Sequence, residues 1–246
     1  MVHKTDHGLY QSSIVSQIPG VIHGFTSKVN GSMLDAENRR KLFISLGYSP
    51  EVVVSADQVH GTDIRIVGKQ DLGKQLEGFD GLLYKKSDAF VHQPLLAVHV
   101  GDCVPIVFID PVAGIIGAAH AGWKGTKDHI AKHMIQAFIR NGSEPANIQV
   151  VIGPYIHACC YNVEEDRAMV FEREFPGGRG IVNRSGVSWF IDLGTANIMD
   201  MKSLGVLEKN IEHNEQLCTL SNPLEFYSYR RNSEKFGEML GFIGFT

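Results

Sequence analysis

Hydrophobic residues recur along this chain at two spacings. One set forms short runs that are apolar almost end to end. They are "EVVVSADQV", "DIRIV", "GLLYK", "PLLAVHV", "VPIVFID", "AGIIGAA", "IQVVIG", "SWFIDL" and, near the end, "MLGFIGF". Val and Ile dominate them, and such runs predict strands in a sheet covered on both faces. The other set has the longer period of a helix. "LDAENRRKLFISLG" brings Leu34, Leu42, Phe43 and Leu46 toward one face and stops at Gly47. "TKDHIAKHMIQAFIRNG" begins at a capping-type Thr126 or Asp128 and ends at Gly142. "VEEDRAMVFEREF" and "LGTANIMDMKSLG" complete the helices, and "KVNGSML" and "EFPGGRG" read as loops. Buried strands mixed with amphipathic helices predict an α/β fold, a layered sandwich of mixed β-sheet with flanking helices. No repeat, low-complexity tract or linker divides the chain, so residues 1–246 read as a single domain.

Composition narrows the classes of function. At 246 residues and 43% hydrophobic, the chain has ample length for a core. Its net charge of -4, with both signs interspersed, offers no electrostatic footprint for nucleic acid. No N-terminal segment pairs basic residues with an apolar run, and no stretch is long and apolar enough to span a membrane. The expected setting is the cytoplasm, as a monomer or homodimer. The cysteines, Cys103, Cys159, Cys160 and Cys218, form no C-x-x-C. A reduced compartment is the simplest reading, with the thiols serving as small buried hydrophobes unless chemistry is argued for one of them.

Three stretches share one layout, a strand with a ligand-type side chain at or near its end and small residues around it. They are "SADQVHGTDI" with His60, "LAVHVGDCVPIVF" with Cys103, and "IIGAAHAGWKGT" with His120. Taken singly, a histidine beside glycine is most often a turn or partial-core residue, and a cysteine between apolar strands is most often packing. Together, two imidazoles and a thiolate match a catalytic zinc site, which uses three protein ligands and keeps a fourth position open. A divalent ion with those ligands retains net positive charge and can polarise a bound water or substrate atom.

Other residues compete for roles. His129 and His133 share one helix face, but the Glu of H-E-x-x-H is missing, so they read as a solvated surface. His99 precedes Gly101 and reads as a packing residue or a neighbour of the site. The "AGWKGT" loop leads into a helix start, where free N–H groups and the helix dipole suit an anion. It is not a P-loop. Trp123 is suited equally to stacking on a base and to covering the core, whereas Lys124 reads as surface.

The stretches "QVHG", "FDGLL", "GDCVPIVFID", "AAHAGWKGT", "GPYIHACCYNV" and "FYSYRR" resemble, in order, the motifs of the laccase-domain family. That family was first described as multicopper polyphenol oxidases. It is now regarded as zinc-dependent purine nucleoside enzymes with phosphorylase and adenosine deaminase activities. The resemblance runs from "HGFTSK" at His23 to "GFI" near the end, and an ordered set of this length is specific. It implies an α/β layered fold, a cytoplasmic setting, Zn2+ as cofactor, and purine nucleosides and inorganic phosphate as partners. The metal-binding His of Q-V-H-G falls on His60, the Cys of D-C-x-P on Cys103, and the His of H-A-G-W on His120. Some positions depart from the pattern. Lys28 stands where arginine is expected, keeping charge but losing the bidentate fork. The loop up to "ENRRKL" is shortened. Gly101 replaces the commoner alanine, and Glu238 follows Gly237 where a Gly-Arg pair is usual.

The expected reaction is phosphorolysis of adenosine, inosine, guanosine or methylthioadenosine to base and ribose 1-phosphate, with deamination of adenosine beside it. Lys28, Gln58, Trp123 and Arg230 are the substrate- and phosphate-binding candidates. Asp102 and Gln58, adjacent to the ligands in sequence, are the candidates for proton relay. If "FYSYRR" is a strand, Arg230 and Arg231 face opposite ways and only one enters the site. A copper-dependent polyphenol oxidase, holding Cu2+ on the same two His and one Cys, is an alternative. It lacks the H-x-H pattern of a trinuclear cluster. A Cys–His hydrolase editing cell-wall precursors, with Cys103 as nucleophile and His120 as base, is another. A binding protein without catalysis is the last.

Overall fold

Every one of the apolar runs becomes a strand, and shorter, more polar strands join them. The computed structural model describes residues 1–87, 91–233 and 237–246. In chain order the strands are β1 (Val2–Lys4), β2 (Tyr10–Ser12), β3 (Val21–Phe25), β4 (Val53–Asp57), β5 (Ile64–Ile66), β6 (Gln75–Glu77), β7 (Gly81–Lys85) and β8 (Leu95–Val100). They continue as β9 (Val104–Asp110), β10 (Ile115–Ala121), β11 (Gln149–Ile152), β12 (Asn162–Val163), β13 (Val182–Ser185), β14 (Ser188–Ile191), β15 (Ile211–Glu212) and β16 (Met239–Phe245). The helices are α1 (Ala36–Ser45), α2 (Trp123–Lys127), α3 (Ile130–Arg140), α4 (Glu165–Glu174), α5 (Leu193–Ser203) and α6 (Tyr229–Asn232).

The strands form two large mixed sheets, ordered β1-β2-β3-β16-β8-β4-β6 and β15-β11-β9-β10-β7-β5, and a small sheet β12-β14-β13. Period-two alternation along each strand sorts the side chains between layers. Val107 and Ile109 of β9 meet Leu96, Val98 and Ile243 of the other large sheet in a shared core. Ile106 and Phe108 point the opposite way, onto Met134, Ile135 and Phe138 of α3. On the outer face of the seven-stranded sheet, Leu95, Ala97 and Phe242 pack on Leu42 and Phe43 of α1. The result is the layered α/β arrangement expected, with both faces of the central strands covered.

Two features of the sequence reading change. The helix expected from Thr126 starts earlier, at Trp123, and breaks between α2 and α3. His129 is left-handed there (φ 63°), a conformation that cannot continue a right-handed helix. Its Nδ1 lies 3.0 Å from Asp200 of α5, so a tertiary pair accompanies the break. At α1, Asp35 is the N-cap, accepting from the amides of Glu37 and Asn38. Leu34 therefore lies outside the helix and is 54% exposed rather than on its apolar face. Among the described residues, no helix is long and apolar enough to cross a membrane.

Register positions the site. In the β9–β10 ladder, His120 opposes Pro105 and Ala121 opposes Val104. In the β7–β10 ladder, Ala119 opposes Gly81. The starts of β7 and β9 and the end of β10 therefore meet in one corner, together with the loop that follows β4.

Candidate metal centre

Each of the three expected ligands is set by local backbone. His60 adopts a left-handed conformation (φ 62°) after β4. The amides of Val59, His60 and Gly61 donate to the Asp80 carboxylate at 3.2, 3.0 and 2.6 Å. Cys103 follows Asp102, a non-glycine residue at φ 98°, where strain is expected. That turn is pinned by the Asp102 carboxylate, which accepts from the Thr219 hydroxyl, the Ser228 hydroxyl and the Arg230 amide at 2.5, 2.9 and 2.7 Å. His120 sits near the end of β10 and is buried.

The donor atoms of His60, Cys103 and His120 all lie within 4.8 Å of one another, and no further His, Cys, Asp or Glu joins the group among the described residues. Cys103 Sγ is 3.8 Å from His60 Nε2, and the two imidazoles meet edge to face. His120 Nδ1 lies 2.7 Å from Asp80 Oδ1. Burial alone would raise the Asp80 pKa, yet hydrogen bonds from His120, Gly61 and Val59 hold it below the usual carboxylate value. Burial likewise opposes ionisation of Cys103, but His120 and His60 beside it bring the thiol down to about 6. Against burial, Cys103 and Asp80 raise His120 to about 9. The corner thus favours a thiolate. With Asp80 on Nδ1, the other nitrogen of His120 is left for a ligand, the carboxylate–histidine arrangement that orients metal-binding imidazoles. One thiolate, two imidazoles and an open position fit a catalytic metal ion.

The glycines of "HAGWKGT" have a steric cause. A Cβ on Gly122 would come 2.6 Å from His60 Cδ2 and 3.2 Å from Cys103 Sγ, and one on Gly125 would come 2.7 Å from the Gly61 carbonyl. The loop closes over the donors only because these side chains are missing.

The donors open into a cavity of ≈ 810 Å³, within the roughly 300–1,000 Å³ range of small-molecule sites. Gln58, Trp123, Arg230 and Asp102 all line it. Gln58 also clamps the backbone of His99, donating to its carbonyl at 2.7 Å and accepting from its amide at 2.8 Å. Trp123 lines the cavity while packing against the core, and the Arg167 guanidinium lies 4.1 Å from its ring centroid. Lys28 is elsewhere: its ammonium donates to the Pro223 carbonyl at 2.6 Å and it does not line the cavity. "FYSYRR" ends in the short helix α6 rather than a strand. Arg230 faces the cavity wall beside Tyr161, while Arg231 is spent on the carbonyls of Thr219, Leu220 and Phe226. His99 also lines the cavity, its Nδ1 2.9 Å from Glu238 Oε2. His129 pairs with Asp200 and stands outside the metal group.

The sequence family described as multi-copper polyphenol oxidoreductase laccase matches residues 32–246. The chain belongs to that family. Among laccase-family relatives, the purine nucleoside phosphorylase YlmD of Geobacillus stearothermophilus is 37% identical over 217 residues, 84% of this chain and 77% of that protein. The adenosine deaminase RL5, from an unknown prokaryotic organism, is 31% identical over 208 residues, 81% of this chain and 76% of that one. The crystal structure of YlmD from Geobacillus stearothermophilus superposes with a TM-score of 0.87 at 31% identity, covering 99% of this chain and 98% of that chain.

In this laccase-family chain, sequence reasoning passed over Asp80, which organises two of the three ligands. Its only sequence signal was its place in "FDGLL". Arg39 of α1 and Arg167 of α4, both lining the cavity, carried no motif of their own, and Tyr161, in the loop before β12, was not singled out within "GPYIHACCYNV".

Proposed function

We propose that this chain is a zinc-dependent purine nucleoside phosphorylase that also deaminates adenosine, acting in the cytoplasm where its ligand thiol stays reduced. The observation that carries this reading is the convergence of His60, Cys103 and His120 on one open position in the wall of a cavity that also presents Arg39, Arg167 and Arg230. The names of the relatives agree with it. A zinc ion held by those three residues supplies Lewis-acid polarisation of a substrate atom.

The remaining roles belong to the chain itself. In phosphorolysis a phosphate oxygen bonds to the ribose C1′ as the bond from C1′ to the base breaks. The base leaves with the electron pair and takes up a proton. The arginines of the cavity hold and orient the phosphate, and positioning of this kind supplies much of the rate. Trp123 offers a flat apolar surface for a base. Asp80 fixes the tautomer of His120. In deamination, water adds to the purine carbon bearing the amino group and ammonia departs, which requires a group to move protons. His99 and Glu238, paired in the cavity wall, are assigned that task in place of Asp102, whose carboxylate oxygens are already taken by three donors.

Incubation with inosine, adenosine and methylthioadenosine, with and without phosphate, followed by chromatography, tests the reading. Phosphate-dependent release of free base from the zinc-loaded chain is expected. No turnover of any of the three nucleosides overturns it.

A second reading has one specific observation behind it. Cys103, His120 and Asp80 form a chain in the order thiol, imidazole, carboxylate, as in a cysteine hydrolase. Chelation separates the two, because a hydrolase of that type survives metal removal and dies on alkylation. His60, facing the same sulfur, favours the metal reading. A polyphenol oxidase is less favoured, since the donor group offers one mononuclear site and no H-x-H supplies more.

A further inference from the structure

Away from the metal centre, the other three cysteines meet. The Sγ atoms of Cys159, Cys160 and Cys218 lie within 4.8 Å of one another, and those of Cys159 and Cys160 are 3.2 Å apart. Two distant segments build this group. The amides of Cys160 and Tyr161 both donate to the His157 carbonyl at 2.9 Å, closing a turn that carries the adjacent pair. Cys218 is held against Tyr155 by a parallel bridge, and the Thr219 amide donates to the Tyr155 carbonyl at 2.9 Å. The trio also grades inward: Cys159 is exposed, Cys160 half-buried and Cys218 buried. A small cation has both an entrance and an anchor. The expectation that these thiols are merely buried hydrophobes fails for Cys159, which is exposed, whereas Cys160 is half-buried against the core.

We propose that Cys159, Cys160 and Cys218 form a second metal site, separate from the nucleoside cavity, that takes a single soft, thiophilic d10 cation of the Cu(I) class. Three sulfurs, with no imidazole or carboxylate in the group among the described residues, are a soft donor set of the kind that selects such ions. A structural zinc site asks for a fourth protein donor. Binding needs no change of oxidation state: each ligating thiol exchanges its proton for a bond to the cation. The site ties residues 155–161 to residues 217–220. Ile156 and Tyr161 of the first segment line the nucleoside cavity, and Thr219 of the second holds Asp102 beside Cys103. The second site therefore stands directly behind the wall of the first.

The test is anaerobic titration of the full chain with Cu(I) against a chromophoric Cu(I) chelator, with Cys103→Ser, Cys159→Ser and Cys218→Ser in parallel. Cys103→Ser is expected to retain a tight Cu(I) site whose X-ray absorption shows a sulfur-only first shell. Cys159→Ser and Cys218→Ser are each expected to lose it. Cys159 lies on the surface, so its variant reports on the site even if Cys218→Ser does not fold. Equal Cu(I) affinity in Cys103→Ser and in the chain carrying both Cys103→Ser and Cys159→Ser overturns the proposal. So does nitrogen in the first shell, or a disulfide among the three thiols in protein purified without oxygen. None of these readouts depends on nucleoside turnover.

Discussion

His120 Nδ1 and Asp80 Oδ1 stand 2.7 Å apart, and both side chains are buried. The same carboxylate accepts the amides of Val59, His60 and Gly61. One residue thereby fixes a ligand imidazole on β10 and the backbone carrying another ligand after β4. Asp80→Asn keeps the volume but removes the charge and one acceptor. Zinc affinity is expected to fall roughly 10- to 100-fold, with turnover lost in parallel. Competition against a zinc chelator measures it, with circular dichroism as the control for folding. Unchanged affinity in the folded variant sinks this role for Asp80.

The cations that line the cavity, rather than Lys28, are expected to bind phosphate. Arg230 lines the cavity beside Tyr161 while also donating to the Asn162 carbonyl at 2.9 Å, whereas Lys28 lies outside the cavity on the Pro223 carbonyl. A hydrogen bond to a charged group contributes about 1.5–3 kcal/mol, so Arg230→Ala should raise the Michaelis constant for phosphate roughly 10- to 100-fold. Lys28→Ala should leave it unchanged. Steady-state kinetics with inosine at varied phosphate checks both, and the reverse ranking refutes the assignment.

Glu238 occupies a position where the family pattern has arginine, and the structure gives it a partner, His99 Nδ1 at 2.9 Å. If this pair moves protons, Glu238→Gln lowers the deamination rate of adenosine while phosphorolysis of inosine is spared. A single positioned acid–base group contributes about 10²- to 10⁴-fold. Measuring ammonia release and base release on the same preparation separates the two activities. Equal loss of both returns Glu238 to a structural role.

The sequence pattern picked out the three side chains that the structure brings together because their neighbours carried information. His60, Cys103 and His120 each sit where an apolar run gives way to glycine or a turn, and that transition is visible without coordinates. Asp80 was not legible in the same way. It reaches His120 only because Ala119 opposes Gly81 in the β7–β10 ladder, and register between distant strands leaves no local trace. The break at His129 was hidden for a related reason. The helical period continues through "KDHIAKH", while the left-handed residue answers to Asp200, some 70 positions away. That Arg230 lines the cavity and Lys28 does not was hidden too, because charge alone does not say which carbonyl or cavity a long side chain meets.

Gly122 tests how tightly the donors are packed. Its missing Cβ leaves room for His60 Cδ2 and Cys103 Sγ, so Gly122→Ala must push the two ligands apart. Overpacking of this kind costs about 1–3 kcal/mol, small enough for the fold to survive. Loss of bound zinc with retained circular dichroism is the expected result, read by elemental analysis. Full zinc occupancy in the variant shows that the loop relaxes and that the glycine is not required for the site.

Acid sensitivity should be traceable to a group far from the metal centre. His23 of β3 is buried, and burial pulls its imidazole from 6.5 to about 4, with Glu212 opposing and His3 adding to the fall. Its Nε2 accepts the Ser12 amide at 2.8 Å, which requires the neutral ring. The unfolded chain then binds a proton here at a higher pH than the folded chain does. Stability is therefore full above pH 6.5 and declines as the pH falls toward 4, by about 3 kcal/mol for a shift of this size. His23→Gln retains an acceptor for Ser12 without the titration. Urea midpoints between pH 7.5 and 4.5 should fall less steeply for this variant than for the parent chain. Parallel slopes would assign the acid sensitivity to other groups and remove His23 from the account.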